Sequence, residues 1–164
     1  MEKSVCFSGY RPEKFKFKLS SPQGEELIKD IENRIADLIN KGYENFIVGG
    51  AMGFDTICGE ILIKQKEEHP QINIYSYVPF KDMHLSFGVL WRQRAARVLE
   101  NSTVTVLYDR FCRGCYFARN RKMVDDSQVL VCYFDGESGG TAYTASYAKK
   151  KGLEIINLAK NREL

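Results

Sequence analysis

CYFDGESGGTAYTASYAKKKG, residues 132–152, starts as the end of an apolar strand, bends through Gly136, Gly139 and Gly140, and runs on as a helix that closes with three lysines and Gly152. Cations in a last helical turn favour the helix dipole, and a glycine just beyond accepts the left-handed cap. Strand, glycine-rich turn and helix in that order make half of a βαβ unit. The open N–H groups of such a helix's first turn suit an anion.

The same order recurs along the chain. Apolar runs of strand length, SVCFSG, NFIVGG, INIYSYVP, TVTVLYD, QVLVCYFDG and LEIINL, alternate with helical stretches near 22–41, 53–69, 84–100, 114–127 and 140–151. Strands that are apolar on both faces and separated by helices predict a mostly parallel sheet covered on both sides, a three-layer α/β fold of Rossmann-like type. The first helix is the best marked. Ser21 caps it, Pro22 opens it, Leu27, Ile28, Ile31, Ile35, Leu38 and Ile39 form one face, and Gly42 stops it. The connection YRPEKFKFKLSSPQG reads as a mobile loop.

With 164 residues the chain is expected to fold as one domain over 1–164. A hydrophobic share of 44% and a charged share of 27% exclude disordered and fibrous classes. The absence of a leader pattern and of any long apolar run gives a cytoplasmic expectation with no membrane span. Five scattered cysteines read as reduced thiols, and a net charge of +3 neither requires nor excludes nucleic acid.

Ligands of open parallel sheets bind beyond the carboxyl ends of the strands. The residues expected there are Gly9, Gly49 with Gly50, Pro79, Asp109, and Asp135 with Gly136. Two turns, VGGAMGFD and DGESGGTAYT, lead into helices, where glycine lets backbone N–H groups approach an anion. The plainer alternative is that these glycines only turn the chain. GGAMGFD lacks the G-x-G-x-x-G spacing of a dinucleotide site, and GESGGT lacks the lysine of a P-loop.

Together with SGYRP after the first strand and ARNRKMVDDSQVLVCYFDG before the last turn, these motifs resemble the superfamily that unites the DNA-processing protein DprA with the LOG phosphoribohydrolases, nearest its small YpsA-like branch. The resemblance implies a Rossmann-like fold with a site for a nucleotide or nucleotide derivative at the carboxyl edge. It assigns Gly9 and Arg11 to a first motif, Gly49, Gly50, Gly53 and Asp55 to a second, Arg119 and Asn120 to a third, and Gly139, Gly140 and Thr141 to a phosphate-cradling turn. Asp135 adds a carboxylate at the edge. A nucleotide-like small molecule is the partner implied; single-stranded DNA is the less favoured alternative, and a homodimer is compatible with the branch. No cofactor is implied. The phosphoribohydrolases carry a glutamate in P-G-G-x-G-T-x-x-E, whereas here Thr144 stands three residues beyond Thr141. A threonine is a poor general base, so holding a ligand is favoured over cleaving it.

Arg11 and Arg119 are the expected anion partners, their planar forks matching phosphate oxygens. Asp55 stands in a first helical turn, where the dipole alone favours a carboxylate; as a site residue it would accept hydrogen bonds from ribose hydroxyls, or hold a water or metal. Glu60 lies five residues on, about 140° around the helix, so the two acids do not sit side by side. A hydrolase reading would use Asp55, Glu60 or Asp135. Cys112 and Cys115 have zinc-like spacing at one end only, and no metal is expected. In SFGVLWRQRAARVLENS the expected inward face is Leu90, Trp91, Ala95, Val98 and Leu99, with the arginines outward. Tyr108, Phe111, Tyr116 and Phe117 cluster as a base-stacking wall would.

Overall fold

Strands and helices alternate through the computed structural model, which describes residues 1–160. The strands are β1 (Ser4–Ser8), β2 (Asn45–Val48), β3 (Asn73–Phe80), β4 (Thr103–Tyr108), β5 (Val129–Cys132) and β6 (Glu154–Asn157). The helices are α1 (Pro22–Asn40), α2 (Phe54–Glu68), α3 (Val89–Glu100), α4 (Cys115–Asp125) and α5 (Gly140–Lys151), with short 3₁₀ turns at Pro12–Lys14 and Met83–Ser86. All strand pairs are parallel, in the order β4-β3-β2-β1-β5-β6. The chain leaves β1 toward β2 on one side and returns as β5 on the other. A crevice opens at such a reversal, because the loops after the two strands diverge.

Alternation along the strands builds two cores. Val5 and Phe7 of β1, with Phe46, Val48, Val129 and Val131, pack beneath Leu27, Ile31 and Ile35 of α1 and Ile57 of α2. Cys6, Ile47, Leu130 and Cys132 face the other way, onto Met123 and Val124 of α4 and Ala145 and Ala148 of α5. The expected fold class is therefore the observed one, and α1 starts as expected, with Gly24 N donating to the Ser21 hydroxyl at 3.3 Å. No described helix is long and apolar enough to cross a membrane.

Several expectations need correction. The loop 10–24 is not loose: Tyr10 and Phe15 are buried, and the Phe15 ring packs 5.0 Å from that of Tyr133. Lys16 adds ion pairs of 3.4 Å to Asp135 and 3.5 Å to Glu137. In KFKFK the rings of Phe15 and Phe17 turn inward while Lys16 and Lys18 are exposed, so the loop is held by its own aromatics. β3 does not end at Pro79 but pairs through Phe80 with Tyr108. The helix expected from 84 is broken, because Phe87 and Gly88 are extended and α3 begins only at Val89. Leu90 points outward at 62% exposure. In its place Arg94 lies 4.2 Å over the Trp91 ring and forms a two-pronged pair with Glu60, both bonds 2.7 Å. β4 is an edge strand, which leaves Val104, Val106 and Tyr108 exposed.

Candidate cleft at the carboxyl edge

A cavity of about 610 Å³ occupies the crevice beyond β1. One wall is the end of β1 and the turn after it, Ser8 through Arg11 with Glu13 and Lys14. Its floor receives Ala51 from the β2–α2 connection and Asp55 from the first turn of α2. The facing wall comes from the β4–α4 loop and α4, with Phe111, Arg113, Tyr116, Phe117, Arg119 and Asn120, and the far end is closed by Gly140 and Thr141 at the start of α5. Gly9, Arg11, Asp55, Arg119, Asn120, Gly140 and Thr141 thus meet in one place.

The second glycine turn lies behind that surface. Gly49 and Gly50 are buried. A Cβ at Gly49 would lie 2.6 Å from Asp55 Oδ2 and 2.7 Å from Arg119 Nη1, so only glycine lets these side chains meet over the backbone. Arg119 donates from Nη1 to the Gly49 carbonyl and from Nε to Asn120 Oδ1 at 2.7 Å. Asp55 accepts from Ala51 N–H at 3.3 Å. Burial pushes the Asp55 carboxyl above its ordinary value, while the charge of Arg119 opposes that shift. Burial likewise pulls the Arg119 guanidinium down. These groups tie the turn to α4, and neither Gly49 nor Gly50, expected as part of a phosphate cradle, is among the residues that line the cavity. Gly9 and Gly53 serve close packing too. The Phe54 ring fills the space of a Cβ at Gly9, and a Cβ at Gly53 would lie 2.6 Å from the Tyr10 carbonyl.

The last turn is different. Gly139 has φ +141° and ψ −159°, a region open essentially to glycine, and it begins α5 with neither a side-chain cap nor an acid in the first turn. The first-turn N–H groups of α5 are therefore left for an outside acceptor. Gly140 is exposed, and a Cβ there would meet Asn120 Nδ2 only at an ordinary 3.8 Å. Thr144 is buried, and its hydroxyl donates to the Gly140 carbonyl at 2.8 Å, so it faces its own helix and not the cavity.

Neither remaining acid of the hydrolase reading reaches the cavity. Asp135 opens instead onto a separate hollow of about 220 Å³ beside Phe17 and Leu158. Its carboxylate accepts from the Tyr10 hydroxyl at 2.5 Å and from Glu137 N–H at 3.2 Å. Burial pushes the Asp135 carboxyl up, but the hydrogen bonds of Tyr10 and Glu137 and the charge of Lys16 together hold it below its usual value. Tyr10 is pushed up to about 12, first by burial and then by that same hydrogen bond. Glu60 is engaged by Arg94 between α2 and α3.

Lys14, Glu13, Ala51 and Arg113 line the cavity although no motif signals them. The aromatic wall is present. Phe111 is 62% exposed and meets Phe80 edge-on at 5.7 Å, and Phe117 is 43% exposed with its ring 4.6 Å from that of Tyr143. Arg11 leans over Tyr116 at 5.4 Å. Tyr108 does not join this wall, since β4 turns it outward. Cys115 is buried at the start of α4, Cys112 is half-buried beside it, and both are free thiols. Among the described residues no three His, Cys, Asp or Glu side chains gather as a metal set.

A parallel α/β sheet with a cleft at its reversal point, one end glycine and the other aromatic, defines a Rossmann-like fold. The chain belongs to the YspA SLOG family (YpsA), whose model matches residues 5–158. It is 27% identical over 154 residues to UPF0398 protein BH1768 of Halalkalibacterium halodurans, covering 91% of this chain and 82% of that protein. It is 30% identical over 136 residues to the SPbeta prophage-derived protein YoqJ of Bacillus subtilis, covering 73% and 78% respectively. Among solved structures, DNA processing protein A of Helicobacter pylori, described as binding single-stranded DNA, superposes with a TM-score of 0.67 at 18% identity, over 98% of this chain and 67% of that one. That likeness is one of fold.

Proposed function

We propose that the protein binds a nucleotide or nucleotide derivative in the 610 Å³ cavity and acts as a sensor or regulator, not as a hydrolase. The observation that carries this reading is the polarity of the cavity. The uncapped start of α5 at Gly139–Thr141 lies at one end, and Phe111, Tyr116 and Phe117 with Arg11 and Arg113 stand at the other. A phosphate suits the first end and a base the second. The volume falls within the range that ordinary small-molecule sites occupy. Phosphate holding is assigned to Gly139, Gly140 and Thr141; Gly49 and Gly50 act behind the wall. Thr144 supplies no carboxylate where a phosphoribohydrolase carries its glutamate, and Asp55 on the cavity floor is engaged by the Ala51 N–H, with the charge of Arg119 beside it.

A second reading has one specific observation in its favour. From Phe117 at the cavity mouth a ring ladder continues through Tyr143 to Tyr147, the last two parallel within 5° at 6.3 Å, with Arg121 and Lys151 alongside. Such ladders stack successive bases, and the Helicobacter pylori neighbour is a single-stranded DNA binder. Thermal-shift measurement against mononucleotides, ADP-ribose and short single-stranded DNA, followed by product analysis, separates the readings. Ligand at about 100 times its Kd should add roughly 2.7 kcal/mol of stability. No shift with any nucleotide, in ligand-free folded protein, removes the proposal; a shift with DNA alone installs the second reading; release of free base revives the hydrolase.

A further inference from the structure

Four cations line the cavity, and they are not equivalent. Arg119 is buried and committed to the Gly49 carbonyl and Asn120. Arg11 lies over the Tyr116 ring, and Arg113 shares the loop of Phe111, so both belong to the aromatic end. Lys14 alone reaches the glycine turn. Its ammonium, which also sits 4.7 Å over the Tyr10 ring, donates to the Ser138 carbonyl at 2.7 Å. Its Nζ lies 2.5 Å from where a Cβ of residue 139 would stand. Glycine at 139 therefore does more than permit the turn: it leaves room for a charge delivered from the loop after β1. An ammonium has three donors, and one is engaged.

We infer that Lys14 is the residue by which this cavity distinguishes a phosphorylated ligand from its unphosphorylated counterpart. The inference rests on the nucleotide reading and names the charge behind its selectivity. A phosphate at Gly140 and Thr141 meets the ammonium beside the turn, while a nucleoside makes no use of it. The competing role for Lys14 is a latch that joins the β1 loop to the β5 loop through Ser138. A latch supports the site for every ligand alike and carries no preference for phosphate.

Equilibrium binding of the 5′-monophosphates of adenosine, guanosine, cytidine and uridine, each beside its nucleoside, tests this in full-length wild type, Lys14→Gln and Lys14→Arg, with folding checked by thermal melting. For the base that binds, Lys14→Gln should weaken the monophosphate about tenfold to a hundredfold, the worth of a charge-assisted hydrogen bond, with nucleoside affinity unchanged. Lys14→Arg should restore most of the preference. A folded Lys14→Gln protein that keeps the wild-type ratio of monophosphate to nucleoside affinity, or loses both affinities together, overturns the inference and leaves the nucleotide reading standing. Wild type that binds no monophosphate also overturns the inference, and the nucleotide reading falls with it only if ADP-ribose binds no better.

Discussion

At Gly49 and Gly140 the same residue type does two different jobs, and substitution separates them. An alanine at Gly49 would press its Cβ against Asp55 Oδ2 and Arg119 Nη1, so Gly49→Ala should cost about 1–3 kcal/mol in urea unfolding, as overpacked sites do. Gly140 has open space above it, so Gly140→Val should melt near wild type while its side chain occupies the anion position and abolishes the nucleotide-induced shift. Unchanged affinity would move the phosphate elsewhere. Asp135 offers a test in pH. Its folded pKa is held below the unfolded value of about 3.9, so its contribution is present above that value and is lost as pH falls through the folded pKa. Tyr10→Phe removes the hydrogen bond that does most to lower it. The variant should be about 1–2 kcal/mol less stable than wild type at neutral pH, with the gap closing as acid protonates Asp135 in both proteins. A gap that is flat with pH would mean that the hydroxyl acts through the Asp135 N–H, from which it accepts at 3.2 Å, and not through the carboxylate.

Among the elements, those whose ends carry local signals were legible in the chain and those positioned by neighbours were not. Ser21, Pro22 and Gly42 delimit α1 because caps and helix stops act within a few residues, and the lysines with Gly152 end α5 by the same rule. α3 escaped because an apolar period continues from Leu85 to Leu99 while the backbone at Phe87 and Gly88 breaks it. Its facing was misread for a related reason. Arg94 takes a place on the inner side by pairing with Glu60 and stacking on Trp91, a contact no single-helix pattern contains. That pair also carries a prediction. Both side chains remain about 30% exposed, so Glu60→Gln should lower stability by only about 1 kcal/mol or less and leave nucleotide binding as in wild type. Loss of binding in a normally melting Glu60→Gln protein would return this acid to the functional site.

Over the whole molecule the cleft is made where the loops after β1 and β5 meet, and the decisive contacts join residues more than 120 positions apart, Tyr10 to Asp135 and Lys14 to Ser138. The glycine turns could be read in advance because backbone conformation is local. Lys14 and Arg113 could not, since only the strand order brings them to the edge, and Asp135 was misassigned because β5 ends at Cys132 and the next residues swing to the other hollow. The same layout decides how binding should answer to salt. The chain's net charge is only +3, so a ligand gains little from the molecule at large and most from the cations it touches. A mononucleotide held at one phosphate by Lys14 carries no condensed counterion atmosphere to release and should show only a shallow dependence on salt. A single strand running out along Tyr143 and Tyr147 past Arg121 and Lys151 would engage several phosphates, each adding about −0.7 to the slope of log affinity on log salt. Titrations between about 50 and 200 mM salt, with a mononucleotide and with an oligonucleotide, distinguish the two. If the oligonucleotide binds tightly with a steep slope and the mononucleotide scarcely binds, the ring ladder and not the enclosed cavity is the principal site.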